Sequence, residues 1–224
     1  MIMIEGVQIT WLGHDGFKLK KDKVVYIDPF QLTSAAEPGD LVCVTHEHSD
    51  HLSPDDLKKV VARPTTVVTI AACAEAVKLL RPKAVRVVKP GDTVEVDGIQ
   101  VEAVPAYNTT KFRSPGNPFH PRADGKVGFV LTIGGIRIYH AGDTDDIPEM
   151  AALQGVDVAL LPVSGTYVMT ADEAAKACGI LRPKLAIPMH YGAIVGSAAD
   201  AEAFRAEAFR KGAACRVEVL TPEP

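Results

Sequence analysis

Short apolar runs separated by polar and glycine-containing segments recur along the chain, a pattern typical of β-strands joined by turns. Gly134-Gly135, which lies between two β-rich runs, predicts the turn of a hairpin. The predicted strands span residues 7–11, 17–19, 24–27, 41–45, 66–70, 84–88, 93–96, 100–104, 127–133, 136–139, 156–161, 185–188 and 216–220.

Helix signals follow several of these strands. Ser53 and Pro54, followed by two acidic residues, are typical of an N-cap and a first helical turn. Thr170 and Glu173 have the spacing of a capping box. The predicted helices span residues 53–62, 71–80, 170–181 and 198–211.

Strands followed by helices occur in both halves of the chain, which predicts two sheets that are each covered by helices. Stacked sheet on sheet, such halves give an α/β (α+β) fold, a four-layer αββα sandwich in one domain of residues 1–224. Residues 107–126 are polar and rich in proline and glycine, and their length is typical of a functional loop. We place the boundary between the half-domains in this loop, at about 1–115 and 116–224. The two halves show no sequence repeat.

Composition limits the function classes. The 224 residues are 47% hydrophobic, which is enough for a sizeable core, and 24 basic against 28 acidic residues give a net charge of −4. The absence of clustered basic residues argues against a nucleic-acid partner. No signal peptide is recognisable, and no apolar run approaches the roughly 18 residues of a membrane helix. Four scattered cysteines indicate buried thiols and a cytoplasmic localisation.

Residues 45–51 carry the clearest chemical signal. Four metal-capable side chains fall within six positions after an apolar strand, in the pattern H-x-H-x-D-H. Imidazole and carboxylate groups together suit zinc, with manganese or iron as alternatives. A polar loop with chance histidines is disfavoured, because three of the seven histidines of the chain lie here. These residues are His46, His48, Asp50 and His51.

Further candidates follow other apolar strands or lie in loops. Asp143 comes after a strand and a glycine, although it could instead cap a helix over residues 145–153. His190 directly follows a buried strand, and His120 lies in the long loop, where a solvated histidine is the simpler interpretation. His14 lies in a Gly-His-Asp-Gly turn and could contact substrate or a metal-bound water, or serve only in the turn. His140 is interpreted as a half-buried histidine with its hydrogen bonds satisfied.

Taken in order, H-x-H-x-D-H, then strand-Gly-Asp-Thr, then strand-Met-His-Tyr-Gly resemble the metallo-β-lactamase fold. The similarity is greatest to small single-domain metal-dependent hydrolases related to ascorbate-phosphate lactonase and N-acyl-phosphatidylethanolamine phospholipase D. The segment from Thr10 to Phe17 and the strand end at Asp28-Pro29 also resemble that subgroup. The resemblance spans Thr10 to Gly192.

The resemblance implies two zinc ions, with manganese or iron possible, bridged by Asp143. It assigns the other ligands to a first site with His46 and His48 and to a second site with Asp50, His51 and His190. It also implies that Asp28 accepts a hydrogen bond from a ligand imidazole and so orients it.

One residue departs from the family pattern. Asn108 stands where a third histidine of the first site is expected. Either Asn108 is a weak oxygen ligand, or His120 reaches in from the long loop, or the first site is under-coordinated. We favour His120.

The implied activity is hydrolysis of an ester, lactone or phosphodiester of a small anionic substrate by a metal-bound hydroxide. Asp50 would orient the nucleophile, and His120 or His14 would assist the leaving group. The cations of the long loop are either solvated or recognise a phosphate or carboxylate, and we single out Arg113 and Arg122 for the latter role. The cations are Lys111, Arg113, Arg122 and Lys126.

The sequence disfavours three other functions. A nuclease is disfavoured by the charge, and a di-iron redox protein of this fold by His48, where that branch has glutamate. A non-catalytic metal-binding protein is disfavoured by the retained ligand set. Homo-oligomerisation is left open, and neither a membrane nor a nucleic acid is expected as a partner.

Overall fold

Two seven-stranded sheets stack face to face, with helices on their outer surfaces, in a computed structural model that describes residues 1–33 and 36–223. This is the four-layer αββα sandwich that the sequence predicts. Buried apolar side chains from both sheets and from all four α-helices form one hydrophobic core. Central strands are buried along their whole length, because they are covered by a helix layer on one face and by the other sheet on the opposite face.

The strands of the first sheet lie in the order of the chain. The first four pair antiparallel, and the last four pair parallel. They are β1 (Ile2–Ile4), β2 (Val7–Gly13), β3 (Gly16–Lys20), β4 (Val24–Ile27), β5 (Leu41–Val44), β6 (Thr66–Thr69) and β7 (Ala84–Val87).

The second sheet repeats this arrangement. Four of its strands pair antiparallel, and the remaining strands pair parallel. The two halves therefore share a topology, although their sequences show no repeat. Its strands, from one edge to the other, are β8 (Thr93–Val96), β9 (Ile99–Pro105), β12 (Val127–Ile133), β13 (Ile136–His140), β14 (Val158–Pro162), β15 (Leu185–Met189) and β16 (Arg216–Val217). Between β9 and β12, β10 (Phe112–Ser114) and β11 (Asn117–Pro118) form a separate small hairpin.

The division between the sheets falls between Val87 and Thr93. The half-domain boundary predicted near residue 115 does not coincide with it, because β9 pairs antiparallel with β12 and so places β8 and β9 in the second sheet. The long loop therefore lies within the second half and does not connect the two halves.

Four α-helices in the described part of the chain flank the sheets, and three of them start at a side-chain cap. The Ser53 hydroxyl accepts a hydrogen bond from the Asp56 amide, and Thr170 and Glu173 form the predicted capping box. The helices are α1 (Pro54–Val60), α2 (Ala71–Lys78), α3 (Ala171–Leu181) and α4 (Ala198–Arg210). The helix considered over residues 145–153 is only a 3-10 helix, Pro148–Leu153.

The long loop is tied to the second sheet by a buried carboxylate. Asp145 Oδ2 accepts hydrogen bonds from the amides of Thr109 and Thr110, at 2.7 and 2.6 Å. Its Oδ1 lies 3.2 Å from Asn108 Nδ2, which donates to it. These bonds fix the start of the loop beside the strand end that carries Asp143.

Cys43, Cys73 and Cys178 are buried, as the sequence predicts, and Cys215 is partly exposed. Burial raises the pKa of Cys73 to about 11, so this thiol stays protonated at neutral pH. Within residues 1–33 and 36–223, no helix combines the length and the apolar character needed to cross a membrane.

Candidate metal centre

Polar side chains from both sheets meet where their strands end. The turn after β2 supplies His14 and Asp15, and the loop after β5 supplies the H-x-H-x-D-H motif. The second sheet contributes Asp143 after β13 and His190 directly after β15. Among the described residues they form three overlapping groups of ligand atoms, and within each group all atoms lie within 4.8 Å of one another.

The first group contains three imidazoles and one carboxylate. His46 Nε2 lies 3.0 Å from His48 Nδ1, which lies 3.3 Å from His120 Nε2. Asp143 Oδ2 is 3.2 Å from His120 Nε2 and 3.8 Å from His46 Nε2. Three nitrogens and one oxygen at these separations match the four-coordinate donor set that zinc prefers.

Asn108 lies behind His120, outside the group of ligand atoms. Its Oδ1 accepts hydrogen bonds from the backbone amide of His120, at 2.8 Å, and from His120 Nδ1, at 2.9 Å. Because an amide oxygen can only accept, Nδ1 carries the proton and the lone pair of Nε2 faces the other imidazoles. The arrangement supports His120, of the three alternatives, as the third nitrogen donor of the first site.

The second side of the centre is richer in carboxylates. His51 Nε2 lies 3.2 Å from Asp143 Oδ1, and His190 Nε2 lies 3.4 Å from Asp143 Oδ2. Asp50 Oδ2 is 3.1 Å from His14 Nε2 and 3.7 Å from His51 Nε2. Asp143 therefore lies between the first group and this second side, where the resemblance to the metallo-β-lactamase fold implies a bridging ligand.

Asp15 belongs to this second side and was not predicted. It is fully buried and takes part in two of the three groups of ligand atoms. The sequence did carry a signal, since Asp15 shares with His14 a short turn between glycines at the same sheet edge. Only His14 was considered, because the strand pattern does not tell which of two adjacent turn residues points inward.

Hydrogen bonds to the outer ring nitrogens orient the imidazoles. Asp28 Oδ2 lies 2.7 Å from His51 Nδ1, which is the contact the sequence predicts, and it also accepts from the Thr45 hydroxyl. Thr45 Oγ1 is in turn 3.0 Å from His46 Nδ1. On the other sheet, Ser164 Oγ lies 2.9 Å from His190 Nδ1, a partner that nothing in the sequence indicated.

Three residues of the centre have a strained backbone. His14, Asp28 and His190 have φ angles of 49°, 43° and 60°, in the left-handed region that residues other than glycine rarely adopt. The His14 carbonyl accepts from Trp11 Nε1 and from the His190 amide, at 2.9 and 3.0 Å. These bonds join the two sheets at the centre and hold the strained conformations.

Carboxylates and imidazoles balance each other's charge. Burial disfavours the ionised form of Asp143, but His190 and His51 outweigh it and hold the pKa of that carboxyl well below its usual range. Burial likewise opposes protonation of His190, yet Asp143 and Asp15 raise its pKa to about 9. Burial raises the pKa of Asp15, and His190 offsets only part of that effect. The protons on the imidazoles thus provide the positive charge that a bound cation would otherwise supply.

Unpaired polar atoms test whether this centre fits a cation. Within the described residues, most of the buried side-chain atoms without a hydrogen-bond partner lie here, the others being the hydroxyls of Tyr139 and Tyr191. Those at the centre are His14 Nδ1, both Asp15 oxygens, His51 Nε2, Asp143 Oδ1 and His190 Nε2. A buried polar group without a partner costs about 1–3 kcal/mol, more when it is charged. A divalent cation would satisfy several of these atoms at once, so the residues fit a metal.

A cavity of about 350 Å³ opens onto the centre. Asp50, His120 and Asp143 line it, together with Phe119 and Tyr167, whose ring centroids are 4.8 Å apart in an edge-on arrangement. Its volume lies at the small end of the roughly 300–1,000 Å³ of ligand pockets, which favours a compact substrate.

The four long-loop cations do not share one role. Lys111 pairs with Glu173, Arg122 with Glu149, and Lys126 with Glu47. Arg113 lines the cavity, stacks over the Phe119 ring at 5.2 Å and has no carboxylate within 4.0 Å among the described residues. The expectation that Arg122 recognises an anion is therefore not supported, because Glu149 already neutralises it.

Comparisons with known proteins agree with this geometry. Residues 8–190 match the beta-lactamase superfamily domain. A protein from Thermoplasma acidophilum, named UPF0173 metal-dependent hydrolase, is 36% identical over 98% of this chain and 97% of its own length.

Two solved structures share the fold. One, from Parabacteroides distasonis and assigned by name as a metal-dependent hydrolase, has a TM-score of 0.78 and 34% identity, covering 97% of this chain and 94% of that one. Another, from Thermotoga maritima and assigned by name as a zinc-dependent hydrolase of the metallo-beta-lactamase superfamily, has a TM-score of 0.54 and 26% identity, covering 84% and 77%.

Proposed function

Since this chain belongs to the beta-lactamase superfamily and its relatives are metal-dependent hydrolases, we propose that it hydrolyses an ester, lactone or phosphodiester bond in a small anionic substrate with two divalent cations. The observation that carries the proposal is the gathering of unpaired, buried ligand atoms from both sheets around Asp143.

The first group of ligand atoms and the carboxylate-rich second side of the centre support two positions for ions. His46, His48 and His120 would hold the first, which suits zinc, and Asp143 would contact both. A bound divalent cation lowers the pKa of coordinated water towards about 7 and polarises a carbonyl or phosphoryl oxygen. The second position would take its donors from Asp50, His51 and His190.

Asp50 is placed to orient the attacking water. It lines the cavity, and its Oδ2 is fixed by the 3.1 Å contact with His14 Nε2. A carboxylate can accept a hydrogen bond from water on its other oxygen, which sets the direction of the water lone pair. His14 acts through Asp50 as a positioning residue. His120, whose Nε2 faces the other imidazoles, is assigned to the ion in preference to the leaving group.

The proposal is tested by metal content and by turnover of three probes, bis(4-nitrophenyl) phosphate, 4-nitrophenyl acetate and γ-butyrolactone. Removing the ions with a chelator should lower kcat/KM at least about a thousandfold, because a metal ion contributes several kcal/mol of transition-state stabilisation. Added Zn²⁺ or Mn²⁺ should restore the rate. A protein that binds neither ion, or that keeps full activity after chelation, would contradict the proposal.

Arg113 is expected to bind the negative charge of the substrate, since it is the unpaired cation at the cavity. Arg113→Glu should raise KM for 5-oxotetrahydrofuran-2-carboxylate by about tenfold or more, the scale of one charge-assisted hydrogen bond. KM for γ-butyrolactone, which has the same ring without the carboxylate, should change less than twofold.

Arg122→Glu is the matched control, because Arg122 lies on the same loop but is paired with Glu149 at 2.7 Å. It should leave the ratio of the two KM values unchanged. An equal rise for both lactones in Arg113→Glu would exclude charge recognition by this residue.

A further inference from the structure

The turn between β2 and β3 holds a carboxylate that the implied ligand set leaves out. Asp15 is fully buried, and neither of its side-chain oxygens has a hydrogen-bond partner among the described residues. Such a group is costly unless something at the site satisfies it. Several imidazole nitrogens lie near Asp15, so its surroundings are not entirely apolar.

Distances relate Asp15 to the second ion position. Its Oδ2 lies 3.5 Å from His14 Nε2, 3.7 Å from His51 Nε2 and 4.0 Å from His190 Nε2. Two atoms bound to one ion at about 2.1 Å cannot lie more than about 4.2 Å apart. Each of these separations is within that limit, so one cation could contact Asp15 together with its neighbours.

The backbone holds Asp15 in place independently of its side chain. Its carbonyl oxygen accepts a hydrogen bond from His140 Nε2 at 2.9 Å, deep between the sheets. The adjacent His14 carbonyl is held by Trp11 and by the His190 amide. Gly16 permits the close approach, since a Cβ there would lie 3.1 Å from the Gly13 carbonyl oxygen. These backbone contacts thus fix the position of the carboxylate.

From these observations we propose that Asp15 is a ligand of the second ion and adds a third carboxylate to that position, which suits a six-coordinate cation of the Mn²⁺ type. This inference rests on the proposed metal-dependent function. The second position then has three carboxylates and two imidazoles, against three imidazoles and one shared carboxylate at the first. The five donors come from two overlapping groups of ligand atoms and are Asp15, Asp50, His51, Asp143 and His190.

The asymmetry has a chemical consequence. Oxygen-rich, octahedral surroundings suit Mn²⁺, whereas zinc is satisfied by four donors. Without Asp15, the second position still offers Asp50, His51, Asp143 and His190, which are enough for zinc. Loss of Asp15 should therefore weaken Mn²⁺ binding more than Zn²⁺ binding at the same place.

The test measures ion binding directly, on protein stripped with a chelator and reloaded with one equivalent of Zn²⁺. Titration of the wild type with Mn²⁺, followed by electron paramagnetic resonance, should show that one equivalent of Mn²⁺ binds beside the Zn²⁺ and is six-coordinate. In Asp15→Asn, the dissociation constant for Mn²⁺ should rise at least tenfold. The constant for a second equivalent of Zn²⁺, measured by calorimetry, should rise less than threefold.

Three variants complete the design. Asp22→Asn removes one exposed negative charge and should bind both ions as the wild type does. His120→Ala should show the reverse pattern, losing the first Zn²⁺ and keeping Mn²⁺. Asp15→Ser repeats the test with a smaller side chain. The melting temperature of stripped Asp15→Asn should equal or exceed that of the stripped wild type, because an unpaired buried carboxylate has been removed.

Unchanged Mn²⁺ affinity in both Asp15 variants would overturn the inference. So would an equal loss for Mn²⁺ and Zn²⁺, which would mark a general charge effect, or a stripped Asp15→Asn protein that melts well below the wild type, which would mark a structural role. All three results leave the proposed hydrolysis standing if the wild type binds metal. A wild type that binds neither ion overturns both proposals.

Discussion

Asp143→Asn should nearly abolish hydrolysis, with kcat/KM falling at least about a thousandfold, or about 4 kcal/mol. Asp143 belongs to the group that contains His46, His48 and His120 and to the group that contains His51 and His190. Its Oδ2 lies 3.2 Å from His120 Nε2, and its Oδ1 lies 3.2 Å from His51 Nε2. An amide has one acceptor oxygen and no charge, so it cannot contact two cations in the same way. Both ions should therefore bind more weakly.

Metal content and turnover are measured together to separate this role from a structural one. The variant should retain fewer than two ions per chain after gel filtration, while its circular dichroism spectrum matches that of the wild type. Asp157→Asn is the control, because Asp157 accepts a hydrogen bond from the Arg137 amide far from the centre. Asp143→Asn protein that keeps two ions and near-normal turnover would refute the bridging assignment.

Gly128→Ala should reduce the free energy of unfolding by about 3 kcal/mol, the upper range for forcing extra atoms into a packed interior. Gly128 lies in β12 beside the end of β13. A Cβ there would lie 2.6 Å from the carbonyl oxygens of both His140 and Ala141. Since those atoms are backbone, relief requires β12 and β13 to separate. That movement would also displace Asp143, so metal affinity should fall with stability.

Gly179→Ala provides the opposite control. Gly179 lies on the exposed face of α3, and an added Cβ would meet no atom within 4 Å. Alanine at a helical position is favoured over glycine by about 0.5–1 kcal/mol, so this variant should be more stable than the wild type. Denaturant unfolding of both variants checks the pair. A Gly128→Ala protein as stable as the wild type would show that the two strands can shift freely.

The sequence predicted the features that depend on local chemistry. Strand ends marked Asp143 and His190, and cap residues marked the starts of α1 and α3, because each signal lies within a few neighbouring residues. Sheet membership is different. The alternation of residues 93–104 predicts strands, but only the pairing of β9 with β12 decides that they join the second sheet.

The proposed third nitrogen donor, His120, shows the same limit. Asn108 and His120 are 12 residues apart. His120 can take the place expected for a histidine at position 108 only because of a loop conformation that Asp145 stabilises. Nothing local in the sequence shows that Asn108 would support His120. The positive φ angles of His14 and His190 cannot be predicted from the sequence pattern either, because glycine is the residue normally expected at such positions.

The division of the ligands between the two sheets governs when an ion can be captured during synthesis. The chain emerges from its N-terminal end, and the first sheet is complete at Val87, with His46, His48 and His51 already present. The proposed first position still lacks His120, and the proposed second position lacks His190, which is synthesised about a hundred residues after the first sheet ends. From this ligand set we expect ion loading to be a late step in the biogenesis of this protein. A loaded centre indicates that both sheets have formed and docked.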